Sequence, residues 1–395
     1  MAQPAARLAP AALALFALQF LLVCTWTIYV AFLPQLAARA GIAASWIAAI
    51  LILDQVLFAL GDFTAGVATD TAARNVARFG RWLAVVGLAS SAAFLLLPQA
   101  TSPLLFMALI VIWTLWSSAL RAPVMALVGK HAPAPSVPLL ASMSLFGLGV
   151  AGALAPYLGA RLRGVDPALP FVLSSLVLAA ATLALLKADV LFGESRPAEA
   201  REAGAVAPST KSRVGLLLAL LLAAAAFQVH FFVASAPAYL RFAGKEALEQ
   251  LMPVFWIGFN LSILPVGFVC RRLGEIRVML AGAVLAAAGA VFAAQAPSLA
   301  LLVGCQLLAG AGWAFMLLAA LTAAVELGRT GFEGRMTGLF FGLLAVATLA
   351  RIAAVAAQLP KAPAIAPLLA DLPWLLWGAS ALVLLVTRMP ARARA

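Results

Sequence analysis

Charge is what this sequence has least of. Asp, Glu, Lys and Arg together make up 10% of 395 residues, where a soluble globular domain carries about a quarter. So few charges cannot coat a soluble surface of this size. Cysteine and histidine are also scarce, at three and two residues. Cys24, Cys270 and Cys305 all fall in or beside apolar stretches and form no CxxC pair or Cys/His cluster, so no disulfide framework, metal site or cofactor is expected. No HExxH, GxSxG or phosphate-cradling GxxxxGK[ST] occurs, which removes the sequence support for an enzyme or a nucleotide-driven pump. The net charge is +12, but the basic residues sit in short loops between apolar spans and not as one basic face, so no nucleic-acid partner is expected.

What fills the chain instead is hydrocarbon: 65% of it is hydrophobic. Apolar stretches of about twenty residues recur with short polar breaks, the length a helix needs to cross a ~30 Å bilayer core. Helices satisfy their own backbone in lipid, where open strands cannot. Six spans are expected near 11–33, 44–68, 82–98, 103–128, 137–160 and 168–191, and six more near 214–238, 251–270, 278–295, 298–325, 336–359 and 367–387. Ala11 to Leu33 is too long for a signal-peptide core and reads as the first span. Between the halves, Gly193 to Arg213 is polar and aperiodic and reads as a flexible linker. The fold class expected is therefore all-α and membrane-embedded, with twelve transmembrane helices in two six-helix bundles, 1–192 and 214–395, joined by a linker at 193–213.

Lys and Arg set the orientation. With both termini in the cytoplasm, 18 of the 26 fall in cytoplasmic segments, 6 on the other side, and 2, Arg121 and Arg351, inside spans. This predicts a multi-pass protein of a bacterial-type inner membrane. The halves also echo one another. Pro34, Arg39 and Gly41 close the first span as Pro237, Arg241 and Gly244 close the seventh. Gly66 and Asp70 end the second as Gly267 and Arg271 end the eighth. Ser144 to Gly147 in the fifth echoes Leu339 to Gly342 in the eleventh. Such in-register matches indicate an internal duplication of the kind many transporters carry.

On these residues the chain resembles the major facilitator superfamily over nearly its whole length. The family signature after the second span is matched by Gly66-Val-Ala-Thr-Asp70 and, after an insertion from Thr71 to Ala77, by Arg78-Phe-Gly80-Arg81. A second copy reads Gly267, Arg271, Arg272, Gly274, Glu275 and Arg277, with Arg in place of the Asp. Arg121 resembles the Arg of another family motif without the Gln and Gly that usually follow it. Gly152 to Gly159 resembles the Gly-Pro motif of proton-coupled antiporters with Ala155 in place of Gly. The resemblance implies two bundles rocking around a central cavity, with Gly66, Asp70, Arg78, Gly80, Arg81, Gly267, Arg271 and Arg272 as a cytoplasmic gate; a plain solvated loop is the alternative.

Ionisable groups inside spans cost about 2.5–3.5 kcal/mol on insertion scales and are functional by default. Asp54 and Arg351 come out at similar depths, ~15 and ~12 Å from the outer ends of their spans, as do Asp62 and Arg121 at ~27 Å. Asp54 and Arg351 are expected to form, or compete for, an inter-bundle contact through which a proton couples to rocking; a purely structural salt bridge is the alternative. Asp62 and Arg121 are expected to form an inner relay within the first bundle, or a structural pair. The expected cavity lining is Arg121, Arg351, Trp26, Tyr29, His230, Asn260 and Trp256. His230 titrates near neutral pH when unperturbed, although an intramembrane His more often hydrogen-bonds a neighbour, and Asn260 suits helix–helix bonding. Pro156 and Pro265 are expected to interrupt their helices. The function this predicts is secondary active transport of a small organic solute, with protons as a partner, by a monomer. Proton-coupled efflux of a drug-like or metabolic compound leads; organic-anion transport through Arg121 and Arg351 is the alternative, and a lipid flippase a third reading.

Overall fold

The computed structural model describes residues 3–72, 76–162, 164–187, 209–329 and 331–387. Most of the proposed linker and the Arg-rich C-terminus lie outside them. The described chain is almost wholly helical: α1 (Gln3–Arg39), α2 (Ile47–Ala72), α3 (Val76–Leu96), α4 (Pro103–Ser118), α5 (Ala122–His131), α6 (Val137–Arg161) and α7 (Ala168–Leu185), then α8 (Thr210–Val229), a π-helical turn (His230–Ala234), α9 (Ser235–Tyr239), α10 (Leu248–Leu251), α11 (Pro253–Leu273), α12 (Glu275–Ala294), α13 (Leu299–Gly328), α14 (Glu333–Ala356) and α15 (Leu372–Val386). Eleven are long and apolar enough to cross a bilayer, counting α4–α5, α8–α9 and α10–α11 as one span each, and α15 is a shorter apolar twelfth.

The packing repeats after six spans. In the first half α1 packs on α6 and α7, α3 on α4 and α7, and α2 on α4. In the second half the equivalent pairs are α8 on α14 and α15, α12 on α13 and α15, and α11 on α13. Two seams join the halves, α2 against α14 and α6 against α11, and these are each other's symmetry mates. The fold is thus two pseudo-symmetric six-helix bundles, as the sequence echoes predicted.

Span boundaries shift where local chemistry intervenes. Ser209 caps α8, its Oγ accepting from Ser212 N at 3.1 Å, so the helix begins four residues before the expected span. Val76 to Gly80 already belong to α3, so Arg78, Gly80 and Arg81 stand on a helix and not in a loop. The fourth span is broken: Arg121 is the N-cap of α5, and Pro123 has no N–H to continue the ladder. Pro156 and Pro265, by contrast, sit inside continuous helices. The seventh span carries the π turn, which sequence periodicity does not reveal.

Candidate functional site

The α2–α14 seam runs antiparallel and is closest at one face of the protein. A Cβ added at Gly66 would strike the backbone of Gly334, and one at Gly334 the backbone of Gly66. A Cβ at Gly338 would lie 2.6 Å from the Asp62 carbonyl, and one at Gly342 would lie 3.3 Å from that of Ala59. The helices therefore touch backbone to backbone at the end holding Asp70, and the approach is looser at Gly342. Asp70 fastens the closed end: its carboxylate accepts N–H groups from Gly334 at 2.7 Å and Arg335 at 3.0 Å, at the N-terminus of α14, where the helix dipole favours an anion. Lys130 Nζ stands 3.7 Å and Arg335 Nε 3.8 Å from the same carboxylate. Thr337 Oγ1 donates to the Ala122 carbonyl at 3.1 Å, tying α14 to α5. Of the other signature residues, Gly80 is buried and Arg81 exposed, while the Arg78 side chain lies outside the described residues. In the second copy, Gly267 lies against Pro138 and Ser142 across the α6–α11 seam. Arg271 and Arg272 stack on Phe268, 5.3 and 4.2 Å from its ring centre.

Asp54 is fully buried in the first bundle. Tyr29 OH donates to its Oδ2 at 2.8 Å and Thr114 Oγ1 to its Oδ1 at 3.3 Å. Around it Trp26, Tyr29, Phe58 and Trp113 interlock, with Trp26 stacked on Trp113 at 6.1 Å and Tyr29 tilted over Trp113 at 4.7 Å. Among the described residues no cation pairs with Asp54. Eight residues on, Asp62 Oδ2 accepts from Arg121 Nη2 at 2.7 Å, and the guanidinium lies 4.4 Å from the Phe58 ring centre and 5.8 Å from that of Phe341 on α14. This is one of the two carboxylate–guanidinium pairs that depth along the helices anticipated.

Asp54 and Arg351 do not pair. The α2–α14 contacts match Gly66 with Gly334, Asp62 with Gly338 and Ala59 with Gly342. Extending that register places Arg351 four to five residues beyond Asp54, about 7 Å at 1.5 Å per residue. Each group turns instead to a neutral neighbour in its own bundle. Arg351 Nε donates to Gln228 Oε1 at 2.8 Å, Gln228 Nε2 donates to Thr348 Oγ1 at 2.9 Å, and the guanidinium lies 4.5 Å from the Phe232 ring centre. Among the described residues it has no carboxylate partner.

His230 is buried in the second bundle, its Nε2 2.9 Å from Gln306 Oε1, between the rings of Phe255 and Trp377. Trp256 and Asn260 belong to the α6–α11 seam, the indole lying over Gly152 and the amide oxygen against Gly149. Of the residues the sequence placed along one cavity, the structure joins Trp26 and Tyr29 with Asp54 in one cluster and Arg121 with Asp62 in another, sets Trp256 and Asn260 on the α6–α11 seam, and leaves His230 and Arg351 with other neighbours in the second bundle. The sequence reading missed Thr114, Gln228, Phe232 and Thr348, short or neutral side chains that carry no signal until helix pairing brings them to a charge. Among the described residues no group of three or more His, Cys, Asp or Glu could hold a metal ion.

Two six-helix bundles that meet along two symmetry-related seams, with ionisable side chains buried inside their membrane-spanning helices, are the frame of a membrane carrier. The Major Facilitator Superfamily profile matches residues 15–354, and the chain belongs to that family of transporters. No curated protein matches it. Among solved structures it is similar to a bacterial homologue of the iron transporter ferroportin in an outward-facing state (TM-score 0.72, 14% identity, 95% of this chain and 98% of that one). It is also similar to the human organic anion transporter MFSD10 (TETRAN) (TM-score 0.69, 15% identity, 95% and 99%). A third is the proton:xylose symporter XylE bound to 6-bromo-6-deoxy-D-glucose (TM-score 0.70, 13% identity, 98% and 97%). At these identities the likeness is one of fold.

Proposed function

We propose that this protein is a proton-coupled secondary transporter of a small organic anion, with Arg351 receiving the anionic group and Asp54 carrying the proton. The observation that carries the reading is the division of charge among the intramembrane groups. Arg121 is neutralised by Asp62, whereas among the described residues Arg351 is held only by neutral Gln228 and an aromatic ring. A guanidinium inside a membrane without a counter-ion is costly, and an anionic solute supplies one. Asp54 has hydroxyl donors and, among the described residues, no cation, so a proton is what neutralises it. The residues present give no support to metal cargo, since the described chain lacks a donor cluster for it.

In this reading the Asp70 face is cytoplasmic and both termini lie on that side of a bacterial-type inner membrane. The units that rock are 1–192 and 214–395, joined by 193–213, and the protein works as a monomer. A second reading, proton-driven efflux of an amphipathic drug-like compound, draws on the aromatic clusters beside Asp54 and around Trp256. Proteoliposome flux under an imposed pH gradient, screened over cationic, neutral and anionic solutes, separates the two. Anion flux that Arg351→Ala abolishes supports the proposal. Flux of cations or neutral compounds that Arg351→Ala leaves intact favours the second reading.

A further inference from the structure

The helix that presents Gln228 and Phe232 to Arg351 is not a plain α-helix. Residues His230–Ala234 form a π turn, in which the Ser235 N–H reaches back five residues to the His230 carbonyl. Such turns are rare and are found mostly as single insertions, frequently at functional sites. Gln228 lies just before this one and Phe232 within it. The turn is closed by side chains whose proton directions follow from one another. Ser235 Oγ donates its single proton to the His230 carbonyl at 2.7 Å. It must therefore accept from Gln306, whose Nε2 lies 3.0 Å away. That fixes the amide, so Gln306 Oε1 faces His230 and Nε2 of the imidazole donates to it at 2.9 Å. All three side chains are buried. The result is a closed ring of hydrogen bonds from α13 to the two ends of the turn.

We infer that His230, Gln306 and Ser235 form a positioning clamp for Arg351: they hold the π turn in the one register that sets Gln228 against the guanidinium Nε and Phe232 against its face. His230 is then neither a solute ligand nor a proton carrier but a hydrogen-bond donor acting at a distance. With Nε engaged and one face on Phe232, the Nη groups of Arg351 are left without a hydrogen-bond partner among the described residues, and guanidinium N–H groups of this kind grip a carboxylate or another oxyanion. A loose supporting shell is enough to spoil such a grip, because recognition of this kind needs its groups held to within about 0.5 Å.

The value of the clamp for transport rests on the anion reading above, but the clamp itself can be tested without a solute. Phenylglyoxal reacts with guanidinium groups, and peptide mass mapping of the purified full chain in detergent reads the rate at each arginine. Ser235→Ala removes one link and little volume; His230→Ala removes another; His230→Gln keeps an N–H that can reach Gln306. Arg351 should be modified about tenfold faster in the two alanine variants, the change that matches loss of one hydrogen bond to a charged group. His230→Gln should return towards the wild-type rate, and Arg121 should stay unchanged throughout. An unchanged rate at Arg351 in Ser235→Ala overturns the inference, as does a parallel rise at Arg121, which would mean general loosening. A faster Arg351 in a protein that moves no anion would retire the anion reading and leave the clamp standing.

Discussion

Asp70 of α2 reaches across the seam and accepts the backbone N–H of Gly334, 2.7 Å away at the start of α14. With the Arg335 N–H at 3.0 Å, the carboxylate occupies the end of a helix that belongs to the other bundle, so the halves cannot part at this face without stripping it of both donors. Hydrogen bonds to a charged group are worth about 1.5–3 kcal/mol each. Losing the charge in Asp70→Asn should therefore raise the population open at this face by about tenfold or more. Spin labels at the exposed positions Thr71 and Lys211 would report it as a longer distance in the variant. Identical distance distributions would mean that the contact does not hold the face shut.

The same seam predicts a graded response to one added methyl. At Gly66 and Gly334 a Cβ meets facing backbone that has nowhere to go, whereas at Gly342 its nearest neighbour is the Ala59 carbonyl at 3.3 Å. Gly66→Ala should lower thermal stability or open this face at a cost of about 1–3 kcal/mol, the usual range for overpacking. Gly342→Ala should stay close to wild type. Equal tolerance at both positions, read by thermal unfolding in detergent together with the Thr71–Lys211 distance, would contradict the graded approach of the two backbones.

Asp62 and Arg121 predict a different pattern. Removing one partner strands the other as an uncompensated charge, which for a buried pair costs about 3–5 kcal/mol. Arg121 keeps 21% of its side chain exposed, so the lower end of that range applies to Asp62→Asn. Arg121→Gln should be the more damaging single change, because Asp62 is wholly buried. The double variant should recover much of the loss. Thermal unfolding of the three variants measures the coupling, and purely additive losses would show that the pair is not a unit.

The architecture was legible because its cause is composition. Hydrocarbon as solvent demands apolar rods of fixed length, and the in-register echoes between halves announce the duplication. The Asp62–Arg121 pair was legible too, since depth along two helices places both groups at one level. The partners of Asp54 and Arg351 were not. Similar depth counted from the outer ends suggested a pair, but the α2–α14 register is set by glycines near the opposite face, and it leaves the two groups four to five residues out of step, each with a neutral neighbour in its own bundle. Pro123 breaks its span while Pro156 and Pro265 do not break theirs, a difference that depends on what neighbouring helices supply to the interrupted ladder. The π turn at His230 leaves no periodic trace, because one inserted residue in an already apolar stretch changes nothing that hydropathy can register.

The central claim is that a proton on Asp54 is linked to movement of a solute held at Arg351. Asp54→Asn fixes the neutral form without changing the size of the side chain. In proteoliposomes the account predicts that this variant loses uptake driven by a pH gradient while retaining solute counterflow, in which no net proton moves. Gradient-driven uptake at the wild-type rate in Asp54→Asn would contradict it.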